Sequence, residues 1–103
     1  MSDEQALYRI DIHDEAKEML YAHARFVANV SVPAARKLRA TLYKAIVSLE
    51  EMPHRCPLYR TRIASGDYRR LITGRYQIIF SINEADRIVN IRFILDSRQD
   101  NDI

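Results

Sequence analysis

The sequence predicts an α+β fold in which one strand and a pair of helices precede three antiparallel strands. Apolar residues alternate with charged residues near the N-terminus, recur every three or four residues through the middle of the chain, and alternate again in its last third. A period of two is typical of a strand with one buried face, whereas the longer period is typical of an amphipathic helix. Because 103 residues lie within the usual size of one domain, residues 1–103 are expected to form a single domain.

The first predicted elements are a short strand and a helix. Tyr8, Ile10 and Ile12 alternate with charged residues, which indicates a strand with one buried face. Asp14 is expected to cap the helix that follows, because an aspartate side chain accepts hydrogen bonds from the free N–H groups of a first turn. His23 falls on the inner side of this helix and is expected to be a half-buried structural residue. The apolar stripe of the helix consists of Ala16, Met19, Leu20, Ala24 and Val27.

A second helix is predicted after the short connection at Asn29, so that the two helices form an antiparallel hairpin. Ser31 and Pro33 mark its start, since proline is well tolerated in a first turn, where its missing N–H has no partner in any case. The helix is expected to continue to Met52 and to end at Pro53. Its apolar stripe consists of Ala35, Leu38, Leu42, Ala45, Ile46 and Leu49. The basic residues that lie away from this stripe, and are expected to form a solvated face, are Arg36, Lys37, Arg39 and Lys44.

The second half of the chain is predicted to form a loop and a three-stranded meander. Residues 53–66 lack a sustained period, so a long loop holding a short extended piece is expected there. Strands are predicted over Tyr68–Thr73, Tyr76–Ile82 and Arg87–Leu95, joined by tight turns. The helix hairpin is expected to cover one face of this sheet. Alternation assigns to that face Tyr76, Ile78, Phe80 and Ile82 of the middle strand and Val89, Ile91, Phe93 and Leu95 of the last strand.

Positive charge is concentrated in the middle of the chain. The formal net charge is only +2, yet residues 31–82 contain ten basic and three acidic residues, which gives this segment a charge of +7. Residues 1–30 carry a net charge of −3 and residues 83–103 carry −2. A segregated positive region is typical of a protein that binds a polyanion or an acidic protein. The alternative interpretation is a solvated set of ordinary surface charges.

The composition also bears on cofactors and cellular location. Cys56 is the only cysteine, and His54 two residues before it has no second ligand pair nearby, so neither a disulfide nor a metal or other cofactor site is expected. The longest stretch without a charge is ten residues, which is too short to span a membrane. The N-terminus lacks the basic-then-apolar pattern of a secretory signal. The chain is therefore expected in the cytoplasm and away from membranes.

Several segments, taken in order, resemble toxins of the RelE/ParE superfamily. Residues 46–53 resemble the end of the second helix of that fold, where a leucine precedes an exit at proline. Residues 68–71 followed by 74–80 are similar to its paired strands, and residues 94–100 to the segment that closes many ParE-like chains. The resemblance covers roughly residues 8–100. It implies the β-α-α-β-β-β fold of a toxin from a bacterial type II toxin–antitoxin pair, also known as a plasmid stabilisation protein.

The superfamily contains two kinds of toxin. RelE-like members cut messenger RNA in the ribosome without a metal, using basic side chains and a tyrosine or histidine near the C-terminus, whereas ParE-like members poison DNA gyrase. Arg69 and Arg98 match two of the basic positions and are the candidate catalytic residues. Leu71 and Gln77 stand where a lysine and an arginine are expected, and no tyrosine or histidine follows Arg98. The resemblance thus favours the ParE-like branch. Metal-independent endoribonuclease activity would follow only from the RelE-like alternative.

The resemblance further implies a cognate antitoxin as partner, and DNA gyrase or the ribosome with its messenger RNA as target. Antitoxins of this class present a flexible, acidic, amphipathic segment, which suits the basic middle of the chain and an apolar groove beside its helix hairpin. Operator DNA would be contacted only through the antitoxin. Another alternative is a decayed toxin that acts only as an antitoxin-binding module.

Arginines on the sheet are the expected functional residues. Arg69 and Arg98 are expected to converge on one anionic surface, since both belong to the same predicted sheet and neither lies on an apolar stripe. A guanidinium group suits this role because its forked donors hold a phosphate or carboxylate in two directions. The residues expected to contact the target are Tyr59, Arg60, Tyr68, Arg70 and Arg75.

Overall fold

The structure, a computed structural model, describes residues 7–60 and 66–98. Its elements are β1 Arg9–Ile12, α1 Asp14–Ala28, α2 Val32–Val47, two short 3₁₀ turns at Ser48–Glu50 and Pro53–Arg55, β2 Leu58–Tyr59, β3 Tyr68–Thr73, β4 Tyr76–Asn83 and β5 Ile88–Asp96. Residues 61–65 of the predicted loop and the closing segment from residue 99 onward lie outside the described residues. No helix within the described ranges is long and apolar enough to cross a lipid bilayer.

All described strands belong to one mixed sheet, with the spatial order β1-β5-β4-β3-β2. Strands β3, β4 and β5 form the predicted antiparallel meander, and β1 lies parallel to β5 at one edge. The other edge is β2, the short extended piece expected in the loop, whose Leu58 pairs with Arg69. The predicted α+β fold of strand, helix hairpin and three-stranded meander is confirmed.

Helix α1 begins one residue earlier than its predicted cap implies. Asp14 was expected at the cap position, but His13 occupies it in an extended conformation, without a capping bond from its side chain. The backbone N–H of His13 bonds to Ile91 O at 3.0 Å, so the strand conformation ends at this residue and the helix begins directly after it. Asp14 lies instead in the first turn, where the helix dipole favours its charge.

Helix α2 has the predicted start and an earlier end. The hydroxyl of Ser31 accepts a hydrogen bond from Ala34 N at 3.1 Å, and proline occupies the first turn. The α-helix ends at Val47 and not at Met52, and the chain continues as a 3₁₀ turn. Met52 adopts a left-handed backbone with φ 49, and the following Pro53 disfavours continuation of the right-handed helix at this residue. The four basic residues of α2 are all exposed, as predicted.

The hydrophobic core lies between the helix hairpin and one face of the sheet. Tyr76 packs into it, as predicted, and His23 is half-buried at its margin. Each fully buried aliphatic or aromatic side chain contributes roughly 1.5–3 kcal/mol to folding. The fully buried members of the core are Leu20, Leu42, Ile46, Leu49, Ile78, Phe80, Val89, Ile91 and Ile94.

A bulge in β5 changes which residues face the core. Phe93 pairs with Ile79 and Ile91 pairs with Phe80, so Arg92 is an extra residue with no partner on β4. The side-chain alternation therefore reverses after Ile91. Ile94 and Asp96 face the helices, and the assignment of Phe93 and Leu95 to that face is wrong.

Candidate functional site

The end of β5 carries a group of polar side chains that we call the strand-end cluster, formed by His23, Arg75, Tyr76, Asp96 and Arg98. Asp96 is buried and accepts hydrogen bonds from the backbone N–H of Arg98 at 2.9 Å and from its guanidinium at 3.4 Å. Burial alone would raise the pKa of Asp96, but the hydrogen bonds from Arg98 and the charges of Arg98 and Arg75 outweigh it and lower the pKa. Asp96 is thus a charged carboxylate held in place by an exposed arginine.

All members of the strand-end cluster except Arg75 line a cavity of about 340 Å³, together with Ala22 and Phe26 of α1. His23 lies 5.1 Å from the Tyr76 ring, and its Nε2 is 2.8 Å from Ile94 O. Because a carbonyl oxygen only accepts, Nε2 must carry a proton in this contact. The cavity is completed by Phe26, which exposes 68% of its surface. A cation, a carboxylate, an imidazole and aromatic rings therefore meet at one concave surface.

The side chain of Arg69 binds backbone carbonyl groups and so has a structural role. Its side chain lies on the helix-covered face, where its Nη1 donates to Cys56 O at 2.6 Å and to His54 O at 3.3 Å. These bonds fasten the segment after the second 3₁₀ turn to β3. Arg69 pairs with Phe80, four residues along β4 from Tyr76, which pairs with Asp96.

Four residues span about 13 Å along a strand, so Arg69 and Arg98 do not meet. The expectation that the two arginines converge on one surface is therefore wrong. The two side chains bind different partners. Arg69 extends towards carbonyl groups beside β2, whereas Arg98 turns back onto Asp96.

The predicted target-binding residues divide among three places. Tyr59, Tyr68 and Arg70 lie together on the sheet face opposite the core, with Arg70 5.9 Å from the centre of the Tyr59 ring. Arg75 lies in the turn between β3 and β4, where its guanidinium is 5.7 Å from the centre of the Tyr76 ring. Arg60 is exposed at the last position before residues 61–65. The structure thus brings together three of these five residues.

We call the face opposite the core the open face, because neither helix packs on it, and define it by Tyr59, Tyr68, Arg70, Ile79, Arg92 and Phe93. Tyr68 and Ile79 are buried, yet neither belongs to the core cluster beneath the helices. Arg70 donates to Gln77 Oε1 at 3.1 Å, and Arg92 donates to the hydroxyl of Tyr68 at 3.3 Å. Sequence reasoning missed Arg92, since it meets Tyr68, which is 24 residues away in the chain, only in the folded sheet.

A further polar cluster surrounds Glu84 in the turn between β4 and β5. Its carboxylate accepts a hydrogen bond from the Tyr8 hydroxyl at 2.7 Å and lies 3.2 Å from His54 Nε2 and 3.9 Å from Arg87 Nη1. The bond to Glu84 raises the pKa of Tyr8, and burial adds to this effect. These residues come from segments far apart in the chain, and no local pattern marks them.

The described surroundings of Cys56 favour neither a nucleophilic nor a metal-binding role. Burial raises the pKa of its thiol, and the nearby charges of Arg55 and Arg69 only partly oppose that effect. A buried, protonated thiol is a poor nucleophile. Among the residues that the structure describes, no three histidine, cysteine, aspartate or glutamate side chains are placed to hold a metal ion.

Two hollows lie along the helix hairpin. The first, of about 500 Å³, runs between α1 and α2 and is bordered by Arg25, Arg36 and Arg39 beside Tyr21 and Val32. None of these three arginines forms an ion pair with a described residue. The second, of about 350 Å³, lies between α2 and the turn from β3 to β4; it is lined by Val27, Ala34, Lys37, Leu38, Thr41, Leu42, Thr73, Gly74, Arg75 and Tyr76. Both hollows combine apolar walls with basic rims.

Comparisons with known proteins give one family and several similar structures. The profile of a family described as ParE toxin of type II toxin-antitoxin system, parDE, matches residues 10–101. No curated protein sequence matches the chain. Among solved structures, a chain of the toxin–antitoxin complex RelBE2 from Mycobacterium tuberculosis is 21% identical with a TM-score of 0.61, and the match covers 92% of this chain and 97% of that chain.

Two other structures share the fold at low identity. A chain of the chromosomal ParDE system from P. aeruginosa is 14% identical with a TM-score of 0.69, and the match covers 85% of this chain and 94% of that chain. A chain of the archaeal RelE–RelB complex from Pyrococcus horikoshii is 20% identical with a TM-score of 0.56, and the match covers 87% of this chain and 94% of that chain. The similar structures thus include both RelE-like and ParE-like folds.

Proposed function

Because the chain belongs to the ParE toxin family of type II toxin–antitoxin systems, we propose that it arrests bacterial growth by acting on DNA gyrase in the cytoplasm. A cognate antitoxin neutralises it, and the pair stabilises a plasmid that encodes both proteins. All three similar structures come from toxin–antitoxin systems or complexes, which supports an antitoxin as partner.

The contacts of the two candidate catalytic arginines support DNA gyrase over messenger RNA as the target. Arg69 is bound to backbone carbonyls, and the charge of Arg98 is balanced by Asp96. Metal-independent cleavage of RNA needs clustered cations that stabilise the charge of the transition state, with an acid–base group beside them. These two separated arginines do not supply that arrangement, whereas inhibition of a protein target requires only a complementary surface.

The antitoxin binds the helix hairpin in this proposal. The hollow between α1 and α2 offers Tyr21 and Val32 as apolar contacts and three arginines without a carboxylate partner among the described residues. An acidic, amphipathic segment is complementary to such a surface in both respects. Burial of these arginines against antitoxin carboxylates would explain why the two proteins form a pair.

One observation favours the RelE-like alternative. His23, Tyr76 and Arg98 line the same cavity, which places an imidazole near a fixed cation. In that alternative, His23 would act as the acid–base group and Arg98 would stabilise the developing charge. The opposing observation is that His23 already bonds to Ile94 O and Arg98 to Asp96.

Induction of the chain alone in a bacterial host tests the proposal. We expect growth arrest with filamentous cells, DNA breaks and altered plasmid supercoiling, and relief of all of these when the neighbouring gene is co-expressed. Purified chain added to purified gyrase should inhibit supercoiling of a plasmid. Transcripts cut within codons while the DNA stays intact would refute gyrase as target and support the alternative. Normal growth on induction would point to a decayed toxin that only binds antitoxin.

A further inference from the structure

Two arginines flank one buried isoleucine on the open face. Arg70 on β3 pairs with Ile79 on β4, and Ile79 pairs with Phe93 on β5, directly after Arg92. The backbones of the two arginines are therefore separated by one intervening strand, or about 10 Å, and both side chains lie over the same apolar floor. The guanidinium of Arg92 reaches across this floor to the hydroxyl of Tyr68 on the far strand.

Neither of these arginines has a counter-charge among the described residues. Among the described residues, the guanidinium of Arg70 forms a hydrogen bond only with the amide of Gln77, and that of Arg92 only with the hydroxyl of Tyr68. By contrast, Arg98 faces the carboxylate of Asp96. The Nε atoms of Arg70 and Arg92 are also buried without a hydrogen-bond partner. Because a buried Nε is out of reach of a ligand, an anion would bond to the terminal nitrogens, where it would supply the counter-charge that both groups lack among the described residues.

The aromatic rings of the open face hold the two guanidinium groups in position. Arg70 lies 5.9 Å from the centre of the Tyr59 ring, and Arg92 lies 5.9 Å from the centres of both the Tyr68 and the Phe93 rings. These ring contacts and the hydrogen bonds to Gln77 and Tyr68 restrict the rotamers of both arginines, so less side-chain entropy is lost on binding. Arginine and tyrosine around a desolvated apolar floor are also the residues that dominate the affinity of protein interfaces.

We propose that Arg70 and Arg92 bind a carboxylate of an acidic segment in the protein that the toxin inhibits. The inference rests on the proposed function, and adds to it the contact surface and the chemistry of the partner. A protein carboxylate fits better than a nucleic acid backbone, because a phosphate chain needs a continuous track of cations. The open face offers two cations, and the same side of the sheet continues to the carboxylate of Asp11, which pairs with Asn90.

The double variant Arg70→Gln/Arg92→Gln tests this inference, with Lys17→Gln/Lys44→Gln as a control that removes the same charge from exposed helix positions. Each protein is induced for growth measurement, then purified for its melting temperature, its complex with antitoxin and its affinity for gyrase. We expect the open-face variant to bind gyrase roughly tenfold more weakly or worse and to lose growth arrest. Its antitoxin complex and its melting temperature should stay close to those of the control.

A third variant, Arg70→Lys/Arg92→Lys, keeps the charge but removes the forked donors and should recover only part of the affinity. Full gyrase binding and full growth arrest by a folded Arg70→Gln/Arg92→Gln chain would overturn the inference and leave gyrase standing as target. A third result is growth arrest that depends on the arginine pair although the wild-type chain does not bind gyrase. This result would support the open face as the target-binding surface and overturn gyrase as the target. Absence of arrest by the wild-type chain would overturn both.

Binding of a short fluorescent single-stranded oligonucleotide, measured with RNA and with DNA, distinguishes a nucleic acid ligand from an acidic protein segment. We expect the open-face variant and the control to bind it equally weakly. Loss of oligonucleotide binding in the open-face variant, with gyrase binding unchanged, would overturn the choice of an acidic protein segment.

Discussion

Asp96 accepts hydrogen bonds from both the backbone N–H and the guanidinium of Arg98, and it does so from the face of the sheet that the helices cover. The bulge at Arg92 is the reason, since uninterrupted alternation would place Asp96 on the open face. One extra residue in β5 therefore places the Asp96 carboxylate on the helix-covered face, where it lines the same cavity as His23 of α1.

The pairing of Asp96 with Arg98 predicts a pH-dependent contribution to stability. The folded-state pKa of Asp96 is lowered from the ordinary value of 3.8, so its contribution is present above about pH 4 and is lost as the pH falls below 3.8 towards the lowered pKa. We expect Asp96→Asn to destabilise the chain by about 1 kcal/mol at neutral pH. The deficit should shrink in acid, which thermal melts of both proteins across this pH range can measure. A deficit independent of pH would contradict the charge pairing.

Removal of the Arg98 side chain is expected to relieve growth arrest strongly while the chain still folds and binds antitoxin. The side chain is more than half exposed, so the cost to stability should stay near that of Asp96→Asn. Growth curves after induction, read beside melting temperatures, provide the measurement. If Asp96→Asn alone relieves arrest equally, Arg98 acts by holding the strand-end cluster in place. Undiminished arrest from a folded Arg98→Ala chain would remove it from the functional residues.

Arg69→Ala is expected to relieve arrest partly and to cost more stability than an exposed position would. Its guanidinium donates to two backbone carbonyls beside β2, and bonds from a charged donor contribute about 1–2 kcal/mol in such a setting. Arg69→Lys should recover part of that stability, because one ammonium donor still reaches a carbonyl. Denaturant unfolding of the three proteins distinguishes loss of the fold from loss of a functional group.

Charge reversal on the helix hairpin is expected to separate antitoxin binding from toxicity. Arg36→Glu/Arg39→Glu places carboxylates beside the hollow between α1 and α2, where they repel an acidic segment. Co-expression with antitoxin should then fail to restore growth, although the chain induced alone still arrests it. The matched control is Lys17→Glu/Lys44→Glu, which reverses the same charge elsewhere on the hairpin. Equal rescue of all three proteins by antitoxin would place its binding surface elsewhere.

The bulge predicts which residues of β5 tolerate truncation. Ile94 is fully buried beneath the helices, so Ile94→Ala should cost about 3 kcal/mol. Leu95 is only half-buried on the other side, and Leu95→Ala should cost about 1 kcal/mol. Chemical denaturation of the two variants provides the test. Uninterrupted alternation predicts the reverse order, so a larger loss at Leu95 would contradict the bulge.

Much of the fold was predictable because its signals are local. The stripes of α1 and α2, the cap at Ser31 and the boundaries of β3 follow from the spacing of apolar side chains and from turn chemistry. The half-buried state of His23 and the core position of Tyr76 follow from the same periodicity. Local patterns suffice where burial of one face dominates the energy.

The candidate site was less predictable because both faces of β3 carry a similar mixture of side chains. Tyr68, Arg70 and Ile72 alternate with Arg69 and two other residues, and neither set is clearly the more apolar. Only pairing with β4 decides that Arg70 lies on the open face while Arg69 lies towards the helices. Sequence reasoning therefore identified both arginines but assigned the main role to the one with backbone partners.

The sequence by itself determined the order of elements, the helix hairpin, the meander and the basic character of the middle of the chain. The tertiary structure alone decided the parallel placement of β1, the bulge at Arg92 and the meeting of Tyr8, His54 and Glu84. The physical reason is the range of the interactions. Helix stripes and turns depend on neighbours a few residues away, whereas register, bulges and polar clusters depend on strands and loops that meet only after the chain has folded.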